Sequence, residues 1–239
     1  MKNRYSSGIE TENRIYDAAR RLFYKNGLSK TTNKEIAEQA FVHKSLVNHY
    51  YENKEKLFME IVSDYIKTIY GYAEKIVSDD PRLLPVMYII CLYHMIISDR
   101  KICRMVNDYF ETFNIRNARV NERYVSYLRD LHNMLYGEKE FQMPDDDTLY
   151  LYRISNISFT RAVARSIIEE DISFDCYKTA LIDMLNKITV FGKDAYERFM
   201  PIFEEAAEKF RADPFSSRID FSEDFAAVRN KDQLRNTYK

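Results

Sequence analysis

The sequence predicts an all-helical protein, an N-terminal set of short helices followed by a larger helical bundle, and three observations carry that reading. Only five glycines and five prolines interrupt 239 residues, which leaves no clustered glycines for a phosphate-cradling loop and few breakers for tight hairpins. Long segments are rich in Leu, Ile, Met, Glu, Lys and Arg, side chains that lose little freedom in a helix. Apolar residues also recur with a helical period. Ile15, Ala18, Ala19, Leu22 and Phe23 fall at i, i+3, i+4, i+7 and i+8, one face of a helix, where strand alternation would send them to both sides.

Each element follows in order. The first helix is expected from about residue 11 to 26, closed by Gly27, which takes a left-handed conformation at low cost. Thr32, Asn33, Lys34 and Glu35 spell a capping box, so a short helix opens there with Ile36, Ala37 and Ala40 turned inward. A second short helix is expected over about 43–51, and two short helices around a tight turn suggest a helix-turn-helix. Asn53 is a good N-cap for a long fourth helix over about 54–77. Asp79, Asp80 and Pro81 mark a turn, and helices are expected over about 83–98, 101–113 and 116–136, the last stopped by Gly137 and the region of Pro144. Asp145, Asp146 and Asp147 cap a helix to about residue 170, Ser173 caps one to about 191, and a last helix covers about 193–211. Residues 213–239 are polar and mixed in charge, a frayed tail or a short surface helix. The expected domains are therefore 1–53, 54–212 and the tail 213–239.

Composition narrows the function classes. With 46% apolar residues the chain has material for a proper core. The longest apolar run, from Val86 to Ile97, is broken by Tyr93 and His94 and falls short of the roughly 18 residues a bilayer span needs, so no membrane partner is expected. Residues 1–10 lack the apolar core of a secretory signal. Cys91, Cys103 and Cys176 are odd in number and scattered, which fits a reducing cytoplasm. The four histidines, at 43, 49, 94 and 132, have no metal-ligand spacing, there is no Cys-x-x-Cys, and no Ser or Cys sits in a nucleophile motif. No metal, cofactor or catalytic residue is expected, and the chain does not read as an enzyme. A helical enzyme or interaction module that keeps a helix-turn-helix as scaffold stays open as the alternative.

Three runs then carry a specific resemblance: Ile15-Tyr-Asp-Ala-Ala-Arg-Arg-Leu-Phe-Tyr-Lys-Asn-Gly27, Thr31-Thr-Asn-Lys-Glu-Ile-Ala-Glu-Gln-Ala40 and Tyr50-Tyr-Glu-Asn-Lys-Glu-Lys-Leu57. In residue type and spacing this stretch resembles the DNA-binding domain of the TetR family of bacterial transcription regulators. It covers about the first quarter of the chain, and the remainder carries no family motif. Where the family usually has Gly-Val-Ser-Lys-Gly-Thr-Leu-Tyr, this chain has Phe41-Val-His-Lys-Ser-Leu-Val-Asn48. Phe41 at the usual glycine implies an altered turn or a strained one. Asn48 replaces a tyrosine, and its amide suits bidentate pairing with adenine if it reaches a base edge.

The resemblance implies a double-stranded DNA partner, and residue chemistry agrees. Residues 1–60 hold eleven Lys and Arg against eight Asp and Glu, a modest positive surplus of the right sign for phosphate neutralisation, with Arg14, Lys34, Lys44 and Lys54 as candidates. Thr32, His49, Tyr50 and Lys54 are assigned to the DNA backbone, partly from the family pattern, and His43, Lys44, Ser45 and Asn48 to the groove. Tyr51 is assigned to the core.

The resemblance further implies a homodimer built on the last two major helices, with Ile154, Ile157, Ile168, Leu181, Met184, Leu185 and Ile188 as apolar contacts, and hence a palindromic operator. Tyr65, Tyr88, His94, Met105, Tyr109, Phe113, Tyr127 and Tyr152 are the candidates to line a pocket for a small, largely apolar effector, although each is equally good core, His94 above all. Arg116, Arg119 and Arg123, like Arg161 and Arg165, recur at helical spacing; they could meet an acidic or acyl-carrier effector, but solvated faces paired with Glu122 and with Glu169 or Glu170 are the preferred reading. The expected behaviour is repression relieved by ligand, with an activator or an effector-independent regulator as the alternatives.

Overall fold

The structure, a computed structural model, describes residues 2–112, 122–137 and 142–213. Its contacts divide into two units, and the division falls inside a helix, between Thr68 and Ile69. The expected boundary at residue 53 marks the start of that helix.

The first unit is built from α1 (Lys2–Asn26), α2 (Asn33–Gln39), α3 (Lys44–Tyr50) and the first part of α4 (Lys54–Ile76). Helix α1 begins at Lys2 instead of near Thr11, since the lone Gly8 is too weak a breaker to stop it. It ends as expected: Gly27 has φ 84° and its N–H donates to Phe23 O at 2.9 Å. The capping box is present in both directions. Glu35 N–H donates to Thr32 Oγ1 at 3.2 Å, and Thr32 N–H donates to Glu35 Oε2 at 2.8 Å. Asn53 caps α4 by accepting from Lys56 N–H at 2.8 Å. The core is Ile15, Ala18, Ala19, Phe23, Ile36, Ala37, Ala40, Val47, Leu57, Phe58 and Ile61, with Phe23 and Phe58 edge to face at 5.2 Å. Tyr51 is buried in it, and Leu22 reaches it only in part.

The second unit holds the rest of α4 and α5 (Leu84–Ser98), α6 (Arg100–Thr112), α7 (Glu122–Tyr136), α8 (Asp146–Glu169), α9 (Cys176–Ile188) and α10 (Ala195–Ala212). The expected turn opens a 3-10 segment at Pro81–Leu83, where Asp80 Oδ1 accepts from Arg82 N–H at 3.2 Å. Helix α5 is the axis of this unit: α6, α9 and α10 pack against it, and α8 covers α6. Together with the 3-10 segment, α5 makes an 18-residue stretch, Pro81–Ser98, whose mean hydropathy of 1.4 reaches that of a membrane span, longer than the broken run read from the sequence. Its apolarity is spent in the core, since Val86, Met87, Ile89, Ile90, Tyr93, Met95 and Ile96 are all buried.

One cap differs from expectation. Asp145 caps α8 as anticipated, accepting from Thr148 N–H at 2.9 Å. Helix α9, however, is capped by Asp175 and not by Ser173: Asp175 Oδ1 accepts from Lys178 N–H at 2.8 Å and Asp175 O accepts from Thr179 Oγ1 at 2.7 Å. Aspartate is at least as good a cap as serine. Helix α9 also stops at Ile188, and Thr189–Phe191 tightens into a 3-10 turn closed by Gly192 at φ 106°.

Candidate nucleic-acid interface and effector site

Helix α3 is only seven residues long, so its sequence sorts cleanly by face. Val47 is buried, Leu46 and Tyr50 are half-buried, and Lys44, Ser45, Asn48 and His49 are exposed. These four stand at i, i+1, i+4 and i+5, which gathers them on one outward face. The position of that face is fixed by α2, because Asn33 Nδ2 donates to Asn48 Oδ1 at 2.8 Å. The sequence reading missed Asn33. Asn48 therefore presents its own amide N–H groups outward while its oxygen is engaged.

His43 is not part of the helix but its N-cap: Nδ1 accepts from Ser45 N–H at 3.4 Å and lies 2.8 Å from Ser45 Oγ. Its ring remains exposed at the head of α3. Tyr50 lies over α1, its hydroxyl near enough that a methyl added at Gly8 would touch it at 3.5 Å. His49 meets its ring edge to face at 5.4 Å.

Two residues expected at DNA phosphates, Lys54 and Thr32, make hydrogen bonds within the unit. Lys54 Nζ donates to Leu28 O and Thr31 O, both at 2.9 Å, satisfying carbonyls of the α1–α2 connection. The Thr32 hydroxyl donates to Glu35 Oε2 at 2.8 Å and accepts from Glu35 N–H, so its proton belongs to the capping box. These hydrogen bonds hold the Glu35 carboxyl below the usual carboxylate range.

Phe41 sits in the turn between α2 and α3 with φ 54° and is 87% exposed. The turn thus keeps the left-handed backbone that glycine normally supplies, and Phe41 bears the strain.

In the second unit the effector candidates separate. Met105 is fully buried on α6, while Tyr88, Tyr109, Tyr127 and Tyr152 are half-buried. His94 is half-buried and packs edge to face on Phe210 at 5.1 Å. Tyr65 is buried on the part of α4 that belongs to the first unit. Phe113 lies outside the described residues, as do Arg116, Arg119 and the Arg123 side chain. Arg161 pairs with Glu111 and Arg165 with Glu169, as solvated faces should.

What the sequence did not reveal is a buried polar cluster among these rings. Tyr93 Oη lies 3.1 Å from Thr160 Oγ1, the Thr160 hydroxyl donates to Asn156 O at 3.2 Å, and Asn156 Nδ2 donates to Tyr124 Oη at 3.1 Å. Tyr127 Oη donates to Met184 Sδ at 3.5 Å. On α9, Asp183 and Lys187 form an ion pair with both side chains buried. Burial pushes the Lys187 ammonium down from its ordinary range, opposed by the Asp183 carboxylate. Burial first, and then the Asp183 charge, pushes the Tyr93 and Tyr127 phenols well up. Tyr124 is pushed up to about 12, again by burial, with the Arg153 guanidinium acting against it. The i, i+4 spacing of Asp183 and Lys187 was visible, but such a pair ordinarily reads as a solvated face.

Met184 and Ile188, expected at a dimer contact, are instead buried within their own chain, because they share the inner face of α9 with Asp183 and Lys187. Ile154, Ile157, Ile168, Leu181 and Leu185 are half-buried. The exposed apolar residues on these helices are Leu151 at 66% and Ile182 at 50%, neither of which was anticipated.

Comparison with known proteins agrees with this geometry. Residues 15–61 match the family described as bacterial regulatory proteins, tetR family. Among solved structures, RolR in complex with its ligand resorcinol has a TM-score of 0.58 at 20% identity, over 85% of this chain and 96% of that one. The transcriptional regulator FadR from Bacillus subtilis, in complex with stearoyl-CoA, has a TM-score of 0.48 at 17% identity, over 73% of this chain and 94% of that one. The multidrug binding protein EbrR, complexed with ethidium, has a TM-score of 0.43 at 15% identity, over 74% and 97%. The comparison with curated proteins returns no match. The all-helical fold is shared with RolR, and α2 and α3 lie inside the segment that matches the family. Over residues 15–61 the chain is similar to the tetR family of bacterial regulatory proteins.

Proposed function

We propose that the protein is a ligand-responsive repressor that acts in the cytoplasm, binds a palindromic operator as a homodimer, and releases it when a small, largely apolar effector occupies the second unit. The observation that carries the reading is the outward face of α3, where Lys44, Ser45, Asn48 and His49 stand together over a buried Val47. A seven-residue helix with one cation, one hydroxyl, one amide and one imidazole on its free face is equipped to read a major groove. A single such head makes too few contacts for specific affinity, so two related by a two-fold are needed.

The dimer surface proposed is the outer face of α8 and α9. On α8, Leu151, Ser155, Ser158 and Ala162 are exposed at helical spacing, mostly small side chains that let helices approach closely, and Ile182 projects from α9 beside half-buried Leu181 and Leu185. The half-buried Ile154, Ile157 and Ile168 would complete their burial there.

Effector action is a linked equilibrium. Helix α4 is continuous from the first unit into the second, so a ligand that favours one placement of α4 biases the spacing of the two heads. Turning a mostly bound population into a mostly free one needs a preference of about 10⁴ for the released state. That RolR holds resorcinol in a similar fold supports a small-molecule effector. Selecting bound duplexes from a random pool at low salt tests the reading. Inverted repeats with half-sites about a helical turn or more apart are expected, and a pool that stays random would overturn it.

A further inference from the structure

Asp183 is 1% exposed and Lys187 7%, one turn apart on α9. Their ion pair engages Asp183 Oδ2. The other carboxylate oxygen, Oδ1, is buried and meets no donor among the described residues, and Asn156 Oδ1 on α8 is in the same condition. A buried acceptor with nothing to accept is costly, and the few that proteins keep are usually completed by something that arrives from outside. Here the orphaned oxygen lies near rings: Tyr88, Tyr93, Tyr124 and Tyr127 all feel the Asp183 charge, and Tyr127 Oη donates to Sδ of Met184, the residue next to Asp183.

Charge and shape limit what fits. Asp183 and Lys187 already cancel, so no net negative charge is left to hold a buried cation, and the Arg153 guanidinium, 5.5 Å from the centre of the Tyr124 ring, adds a positive one. A purely hydrocarbon ligand would leave the acceptor unmet. The lining rings favour a flat aromatic partner, which stacks or meets them edge to face.

We propose, resting on the effector reading above, that the effector is a neutral aromatic molecule carrying a hydroxyl group, which donates to Asp183 Oδ1 while the ring lies among Tyr88, Tyr93, Tyr124 and Tyr127. No bond is made or broken. The hydroxyl keeps its proton and fills the missing donor position.

Calorimetric titration of the intact protein with three matched probes tests the assignment: 2-naphthol, its methyl ether 2-methoxynaphthalene, and the 2-naphthylmethylammonium ion. The naphthol is expected to bind at least tenfold tighter than the ether, and the ammonium ion more weakly than the naphthol. Asp183→Asn is expected to shrink the naphthol-to-ether ratio below threefold. Should that variant fail to fold, the ratio on the unaltered protein decides alone. An ether that binds as tightly as the naphthol, an ammonium ion that binds more tightly, or the failure of all three to bind overturns the proposal. Release of a labelled operator is followed separately by fluorescence anisotropy. Naphthol that binds with the expected preference but leaves DNA bound would keep the ligand chemistry and remove the release mechanism. Equal release by naphthol and ether would do the reverse.

Discussion

Phe41 is the residue at which local chemistry and fold disagree most. A non-glycine residue in the left-handed region costs roughly 1–2 kcal/mol, and with its ring in solvent Phe41 recovers little by packing. Phe41→Gly is therefore expected to stabilise the protein by about 0.5–1 kcal/mol, the greater freedom of glycine in the unfolded chain offsetting part of the relief. Urea denaturation measures it, and an unchanged or lower midpoint would mean that the turn gains something else from the ring. Lys54 teaches the opposite lesson. Its ammonium group joins two backbone carbonyls, and charged hydrogen bonds of this kind contribute about 1.5–3 kcal/mol each. Lys54→Met is expected to lower the melting temperature by several degrees. Weaker operator binding with unaltered stability would return Lys54 to a phosphate-contacting role.

At the scale of the element, the proposed function gives α3 two separable kinds of recognition. Asn48→Ala should relax preference at one base position of each half-site, a discrimination of about 1–3 kcal/mol, while Lys44→Ala should weaken all sequences alike and reduce the salt slope by about one. Binding isotherms on single-base operator variants at several salt concentrations distinguish them, and a uniform loss for Asn48→Ala would place its amide on the backbone. Helix termini show how far local sequence reaches. The Thr32 box, Asn53, Asp145 and Gly27 were legible because a cap satisfies amides or carbonyls within four residues of itself. Helix α9 was misplaced because Ser173 and Asp175 both qualify by type. Asp175→Ala should cost about 1 kcal/mol and Ser173→Ala almost nothing, which thermal unfolding of the two variants compares directly.

For the whole molecule, the proposed dimer stands on Ile182 and Leu151, and Ile182→Lys is expected to shift the protein to monomers in analytical ultracentrifugation and to weaken operator binding by at least tenfold. A dimer that survives the substitution would move the interface elsewhere. The helical class, the capping box, the inward stripe of α1 and the exposed face of α3 were determined by the sequence alone, because each depends on residues within a turn or two of one another. Which isoleucines of α8 and α9 face outward, which lysine is internal, and how Tyr93, Tyr124, Asn156, Thr160, Asp183 and Lys187 come together were decided only by tertiary structure. Those positions lie on five helices, α5, α7, α8 and α9 of the second unit and α4 of the first, and burial is a property of what packs against a side chain, which its neighbours in sequence do not carry.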